Sequence, residues 1–320
     1  MINIKNLTKK YDDFTAVDDI SLTVKKGEIF GLLGPNGAGK TSTINMMIGL
    51  FFPTAGEITI NGIDVIRQTK KAQTVIGIVA DESNLYNEMS GFDNLCFCGA
   101  LYGMNKKQRE LKAKQLLKQF NLHNTGNKPF KAYSKGMKRK LTIAAALIHC
   151  PEVLFLDEPT TGIDVESSRQ IRELILELKN QGTTIFITTH YIEEVQRLCD
   201  RIAFMVNGKI VACGTVLELM NSISYNHSVH LTVDKNPQNF ILEFEKRFEG
   251  SSAIAKDEKS LVITSKEKIP LLEILNFFQE KEIEVYQARQ LHPTLEDVFV
   301  KLTAVESAIL KKEKEKGDQQ

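Results

Sequence analysis

The sequence predicts an α/β protein built on a mainly parallel sheet, with an antiparallel β subdomain, a helical subdomain and a small C-terminal α+β domain of ferredoxin-like type. Three observations carry this reading. Over the first 220 or so of the 320 residues, apolar runs of strand length alternate with amphipathic helices. Between about residues 85 and 150 the periodicity is helical and no strand signal occurs. After Met220 the alternation restarts on a smaller scale.

The strands of the main sheet are expected at 28–33, 75–80, 153–156, 184–188 and 201–206. Four of these are rich in β-branched or aromatic residues and nearly uniformly apolar, as strands buried on both faces are. Runs 20–24 and 57–60 instead alternate apolar with polar residues, the pattern of antiparallel strands with one solvated face. Residues 41–48 suit a helix. Ala113, Leu116, Leu117 and Phe120 recur at helical spacing within the block that interrupts the α/β core. From Asp164 onward Ile171, Leu174, Ile175 and Leu178 fall at i, i+3, i+4 and i+7. In the C-terminal part, 230–234 alternates, 240–248 is helical, 261–263 is strand-like and 283–286 is a further strand. Two helices carry the apolar stripes Leu271/Ile274/Leu275/Phe278 and Leu295/Val298/Phe299/Leu302. The order is then β-α-β-α-β-α. Two such stripes exceed what one side of a small sheet needs, so this part is expected to support a dimer or to regulate. The domains are expected at 1–221 and 222–304, with a charge-alternating tail over 305–320.

The chemistry begins at Gly34-Pro35-Asn36-Gly37-Ala38-Gly39-Lys40-Thr41, which fits G-x-x-x-x-G-K-[ST] and lies between an expected strand and a helix that continues through Ser42. Glycines let the backbone close around phosphates, and successive N–H groups at the helix N-terminus supply partial positive charge. Lys40 is placed to reach the β- and γ-phosphates and the Thr41 hydroxyl to bind Mg²⁺. An ordinary glycine-rich turn is the alternative, and the flanking strand and helix argue against it. The run 153–156 ends in Asp157 and Glu158. The first carboxylate is expected to hold Mg²⁺ through its water shell, the second to polarise the attacking water. A helix cap is the competing explanation for these two acids. Ser134 suits an N-cap, and Gly136 permits close backbone approach to an anion.

Charge and composition bound the partners. A net charge of +1 with 25% charged residues gives no field for nucleic acid or an anionic membrane. The start lacks the apolar segment of a signal peptide, and no apolar run approaches the roughly 20 residues that cross a bilayer. A cytoplasmic chain is therefore expected, with any membrane role requiring a partner subunit. The five cysteines are scattered. Cys96 and Cys98 form the single close pair, and without a second pair at ligand spacing packing outweighs metal binding.

Taken together, the motifs resemble the ATP-binding cassette (ABC) family over roughly residues 1–220. In that family a Leu-Ser-Gly-Gly-Gln segment completes the ATP site of the opposite subunit. Here it reads Tyr133-Ser134-Lys135-Gly136-Met137, departing at Lys135 and Met137 and keeping Ser134 and Gly136. The resemblance implies that Tyr11 stacks on adenine, that His190 contacts the γ-phosphate, and that Asp164 lies in the loop coupling two sites. Asp81 falls where the family has a glutamine that senses Mg²⁺ and contacts the membrane subunit, and Asp is shorter and charged. The implied cofactors are ATP and Mg²⁺. The implied partners are a second copy in head-to-tail arrangement and a multi-span membrane subunit docking near Asp81 and the helical subdomain, holding the chain peripherally on the inner face of the membrane. The tail around 295–303 and the Tyr-Ser-Lys-Gly-Met segment resemble the ABC-2, drug-resistance exporter branch. Export of a small molecule, lipid or peptide is then the leading expectation. A non-transport cassette, or a subunit of an import or ion-extrusion system, is the alternative.

Overall fold

A computed structural model describes residues 1–81, 85–222, 227–291 and 294–302. They divide into two compact units, Met1–Leu217 with the described residues from Phe299, and Glu218–Val298. The expected tail over 305–320 lies outside the described residues.

The first unit opens with the hairpin β1 (Ile2–Tyr11) and β2 (Phe14–Val24), then β3 (Ile29–Leu33) and helix α1 (Lys40–Met47). β4 (Ala55–Ile60), β5 (Ile63–Asp64), α2 (Thr69–Thr74) and β6 (Ile76–Val79) follow. The helical block consists of α3 (Gly91–Leu101), α4 (Lys106–Gln119) and α5 (Lys135–Ala146). The chain then alternates through β7 (Val153–Asp157), α6 (Val165–Asn180), β8 (Thr184–Thr189), α7 (Ile192–Leu198) and β9 (Arg201–Val206). β10 (Lys209–Gly214) pairs back on β9, and α8 (Val216–Asn221) leads out of the unit.

Six strands form the main sheet in the order β10-β9-β3-β8-β7-β6, parallel except where β10 meets β9. Every residue of β3, β7 and β8 is buried, because successive side chains enter two different cores. Phe30, Phe155 and Phe186 pack on one face with α1 and the antiparallel sheet. Ile29, Leu154 and Ile185 pack on the other with the helical block and α6. The antiparallel sheet has the order β2-β1-β4-β5. In β2, Leu22 and Val24 point inward while Ser21 and Thr23 face solvent, as the alternation predicts. Ala113, Leu116, Leu117 and Phe120 are all buried. An Asn105–Gln108 capping box starts α4, and Ser90 caps α3.

The second unit contains β11 (His227–Val233), α9 (Ile241–Arg247), β12 (Ser251–Asp257), β13 (Ser260–Ser265), α10 (Leu271–Glu280) and β14 (Val285–Leu291). A last helix, α11, covers 295–302 and crosses the division between units. The sheet order is β12-β13-β11-β14, antiparallel throughout. The order β-α-β-β-α-β is that of a ferredoxin-like domain. It corrects the expected β-α-β-α-β-α, which lacked β12. The expected stripes also shift. Phe277 rather than Leu271 is buried on α10, and Leu295 and Val298 are fully buried on α11. Phe299 packs against Phe204 of the first unit's own sheet, with ring centroids 5.4 Å apart. Leu271 and Leu272 of α10 stay exposed.

Candidate active site

The loop between β3 and α1 depends on two glycines. Gly39 caps α1 at φ 105, a conformation that disfavours any side chain, and a Cβ there would lie 2.4 Å from the Ala16 carbonyl oxygen. A Cβ on Gly34 would lie 2.2 Å from the Met205 carbonyl oxygen. The Ala38 carbonyl accepts from the Gly208 N–H at 3.0 Å and anchors the loop to the β9–β10 turn. Lys40 starts α1 and is buried. Its ammonium donates to the carbonyls of Gly34 at 2.7 Å and Pro35 at 3.1 Å. It also lies 3.9 Å from Glu158 Oε1. Burial lowers the Lys40 pKa, and the charges of Glu158 and Asp157 oppose that shift.

Parallel pairing of β7 beside β8 brings the acids to this loop. Asp157 ends β7 and accepts from the Thr188 hydroxyl on one oxygen and the Thr41 hydroxyl, at 3.4 Å, on the other. Burial raises its pKa, and the Thr188 bond acts against that rise. Two hard oxygen donors thus converge beside the loop lysine, a set that suits Mg²⁺ completed by phosphate and water. Glu158 has φ 48, left-handed for a non-glycine residue. Its carboxylate accepts from the Thr161 hydroxyl at 3.0 Å, and both oxygens lie 3.0 Å from His190 Nδ1. Nδ1–H donation to a carboxylate fixes the His190 tautomer.

A cleft of about 420 Å³ joins Lys40, Thr41, Asp157 and Glu158, lined also by Asn36, Gly37, Ser42, Asp81 and Phe14, with His190 behind Glu158. Asp81 thus faces the same space as Thr41 and Asp157, while its carboxylate pairs with Arg139 at 3.8 Å. Phe14 lines the cleft where Tyr11 was expected. Tyr11 is its partner across the β1–β2 hairpin and packs edge-on against Phe51. Ser134, Gly136 and Asp164 do not line this cleft. They gather where α5 and α6 begin. Ser134 caps α5, and Asp164 caps α6 by accepting from Ser167 N–H at 2.8 Å. A Cβ on Gly136 would come within 2.1 Å of Ser167 Oγ. Sequence reasoning missed Phe14, Thr188, Thr161 and Arg139. The burial of Arg139 had one available signal, since it lies four residues before the apolar Ile143 on α5.

A glycine loop feeding a helix N-terminus, a buried loop lysine and two carboxylates at the end of β7, one strand beyond β8 in the sheet, define a P-loop nucleotide hydrolase. The comparisons are narrower. Residues 17–161 match the ABC transporter family. The linearmycin resistance ATP-binding protein LnrL of Bacillus subtilis is 40% identical over 242 residues, covering 76% of this chain and 78% of that protein. The Nod factor export ATP-binding protein I of Ralstonia nicotianae is 34% identical over 310 residues, covering 96% and 94%. Among solved structures, the dimeric cassette MJ0796 bound to ADP and Pi in a post-hydrolysis state is 26% identical. It aligns with a TM-score of 0.62 over 67% of this chain and 98% of its own. The chain belongs to the ABC transporter family and is an ATP-binding ATPase subunit. No helix among the described residues is long and apolar enough to cross a membrane.

Proposed function

We propose that this chain is the ATP-hydrolysing subunit of a membrane exporter, working as a head-to-tail pair of cassettes beneath a separate multi-span membrane subunit. The observation that carries the pairing is the separation of half-sites. Lys40, Thr41, Asp157 and Glu158 share one cleft, while Ser134 and Gly136 lie outside it. An isologous pair presents the α5 start of each chain to the cleft of the other, giving two equivalent sites. The exporter reading comes from relatives named for resistance and for Nod factor export.

In each site the loop N–H groups and Lys40 neutralise the β- and γ-phosphates, and adenine lies against the Tyr11/Phe14 hairpin end. Thr41 and Asp157 hold Mg²⁺, with the Asp81 carboxylate adding charge nearby. Mg²⁺ held there would offset the charge that develops on the transferred phosphoryl group. Glu158 accepts a proton from water as the water oxygen bonds to the γ-phosphorus. The bond from that phosphorus to the bridging oxygen breaks, and ADP carries the bridging oxygen away. His190 keeps the Glu158 carboxylate aimed at the water. Asp164 sits in the loop between the two sites.

The membrane subunit docks on an apolar groove of about 380 Å³ between the sheet and the helical block, lined by Leu50, Ile78, Ala80, Leu101 and Tyr102 among others. Ala80 directly precedes Asp81, so this groove and the ATP cleft meet at one loop. The test is Glu158→Gln, which keeps the shape and loses the basicity. Turnover is expected to fall about 10²–10⁴-fold, and Mg-ATP should then hold two chains together in size-exclusion chromatography. Purified from detergent-solubilised membranes, this variant should bring down a chain with several apolar spans. Full turnover sinks the base assignment. Recovery with ribosomes, or with no membrane chain, sinks the exporter reading.

A further inference from the structure

Arg139 is the most heavily engaged polar side chain near the cleft that the proposed mechanism leaves unused. It projects from α5 and is 6% exposed. Its guanidinium donates to four backbone carbonyls, those of Ala80, Asp157, Glu158 and Pro159, with Nε at 2.9 Å from Pro159 O and Nη2 at 3.2 Å from Asp157 O. Three of those carbonyls belong to the consecutive residues centred on Glu158. Glu158 itself is held in the left-handed region at φ 48. A non-glycine residue there is strained and persists where its surroundings over-determine it. A planar fork of five donors grips both peptide planes around Glu158 at once, which a lysine ammonium cannot do. The carboxylates of Asp81, Asp157, Glu194 and Glu158 offset its buried charge, with Asp81 the largest contributor. Asp81 forms its ion pair with Arg139 at 3.8 Å from an exposed position.

We infer that Arg139 is a positioning residue for hydrolysis: it clamps the Glu158 backbone in the left-handed turn that aims the carboxylate into the cleft, and Asp81 sets the strength of the clamp from the solvent side. The inference rests on the reading of Glu158 as the base. The same guanidinium bonds the residue before Asp81 and the residues around Glu158. A displacement of the 80–81 backbone therefore reaches Glu158 through one side chain.

Arg139→Lys keeps the charge and loses the fork. At saturating ATP and Mg²⁺ it is expected to lower kcat by on the order of 10²-fold, the effect of misplacing a reacting group by about 1 Å. KM for ATP should stay within about twofold, since the fork touches none of the phosphate-binding loop; a purely structural role predicts a lower Tm with no such split. Asp81→Ala, on an exposed side chain, gives a second reading that does not endanger folding. Its kcat should fall severalfold, and saturating Mg²⁺ removes any contribution from weaker metal binding. Combined with Arg139→Lys it should add almost nothing, because both act through one clamp. Unchanged kcat in Arg139→Lys, or additive losses in the double variant, overturns the inference. If Arg139→Lys is not recovered folded, an unchanged kcat in Asp81→Ala overturns it instead. Full turnover in Glu158→Gln would sink the base reading whatever Arg139 does. An inactive Glu158→Gln beside a fully active Arg139→Lys sinks the clamp alone.

Discussion

At Gly136 the missing side chain is required by a neighbour in the same chain, since Ser167 Oγ and Cβ would lie 2.1 and 2.5 Å from a Cβ there. Gly136→Ala should therefore lower stability by about 1–3 kcal/mol, the usual cost of overpacking. Ser167→Ala brings no relief, because its Cβ remains. Ser167→Gly does, as a thermal-unfolding double-mutant cycle would show, and a wild-type midpoint for Gly136→Ala would refute the contact. At the loop, Lys40→Ala should abolish ATP binding by calorimetry, whereas Thr41→Ala should retain it and raise the Mg²⁺ concentration for half-maximal rate. Equal ATP affinity in wild type and Lys40→Ala refutes the phosphate role. Lys40, Thr41, Asp157 and Glu158 were legible because their chemistry lies in short consecutive motifs. Arg139 was not, because Lys138-Arg139-Lys140 reads as a solvated basic run. Its acceptors arrive from β6 and β7, which only the folded sheet brings near. Thr188 was hidden in the same way inside an apolar strand.

Elements were readable where periodicity was strong and both faces agreed. The five core strands and the helices at Ala113–Phe120 and Ile171–Leu178 stand where their spacing predicts. β12 escaped because Ser251–Asp257 buries only Ala253 and lies at a sheet edge, so no alternation marks it. Its turn carried a weak signal: Asp257 accepts from Lys259 N–H at 2.8 Å and Ser260 Oγ at 2.6 Å, a local turn bond that aspartate favours. The join between α3, α5 and β6 also has a pH dependence. His149 stacks on Tyr102 and donates from Nε2 to the Ile76 carbonyl at 2.9 Å, while Nδ1 is buried with no hydrogen-bond partner among the described residues. Burial holds its pKa below the ordinary value. The neutral ring's contribution is thus present above about pH 6.5 and is lost as pH falls below it, because the unfolded chain takes up the proton first. Urea midpoints at about pH 7.5 and 5.5 should differ more in wild type than in His149→Gln, which keeps a donor for Ile76 and does not titrate. Equal differences would remove His149 as the cause.

For the whole molecule, the second unit is an insertion in sequence between Leu217 and Phe299. A chain ending at Leu217 keeps every proposed catalytic residue but loses the Phe299 ring from Phe204. It should bind ATP and unfold at lower temperature than the full chain. Phe299→Ala should reproduce much of that loss, about 1–2 kcal/mol for a half-buried ring packed on the buried Phe204. A truncated chain as stable as the full one would show that the contact contributes nothing. The same contact bears on how the protein is made. The ribosome must traverse the whole second unit before Phe299 exists, roughly 4–16 s at about 5–20 residues per second. During that interval the nascent nucleotide-binding sheet is complete in sequence, yet Phe204 still waits for the ring that covers it, so chains interrupted within this window are the ones a cell's chaperones and proteases would meet with that face open.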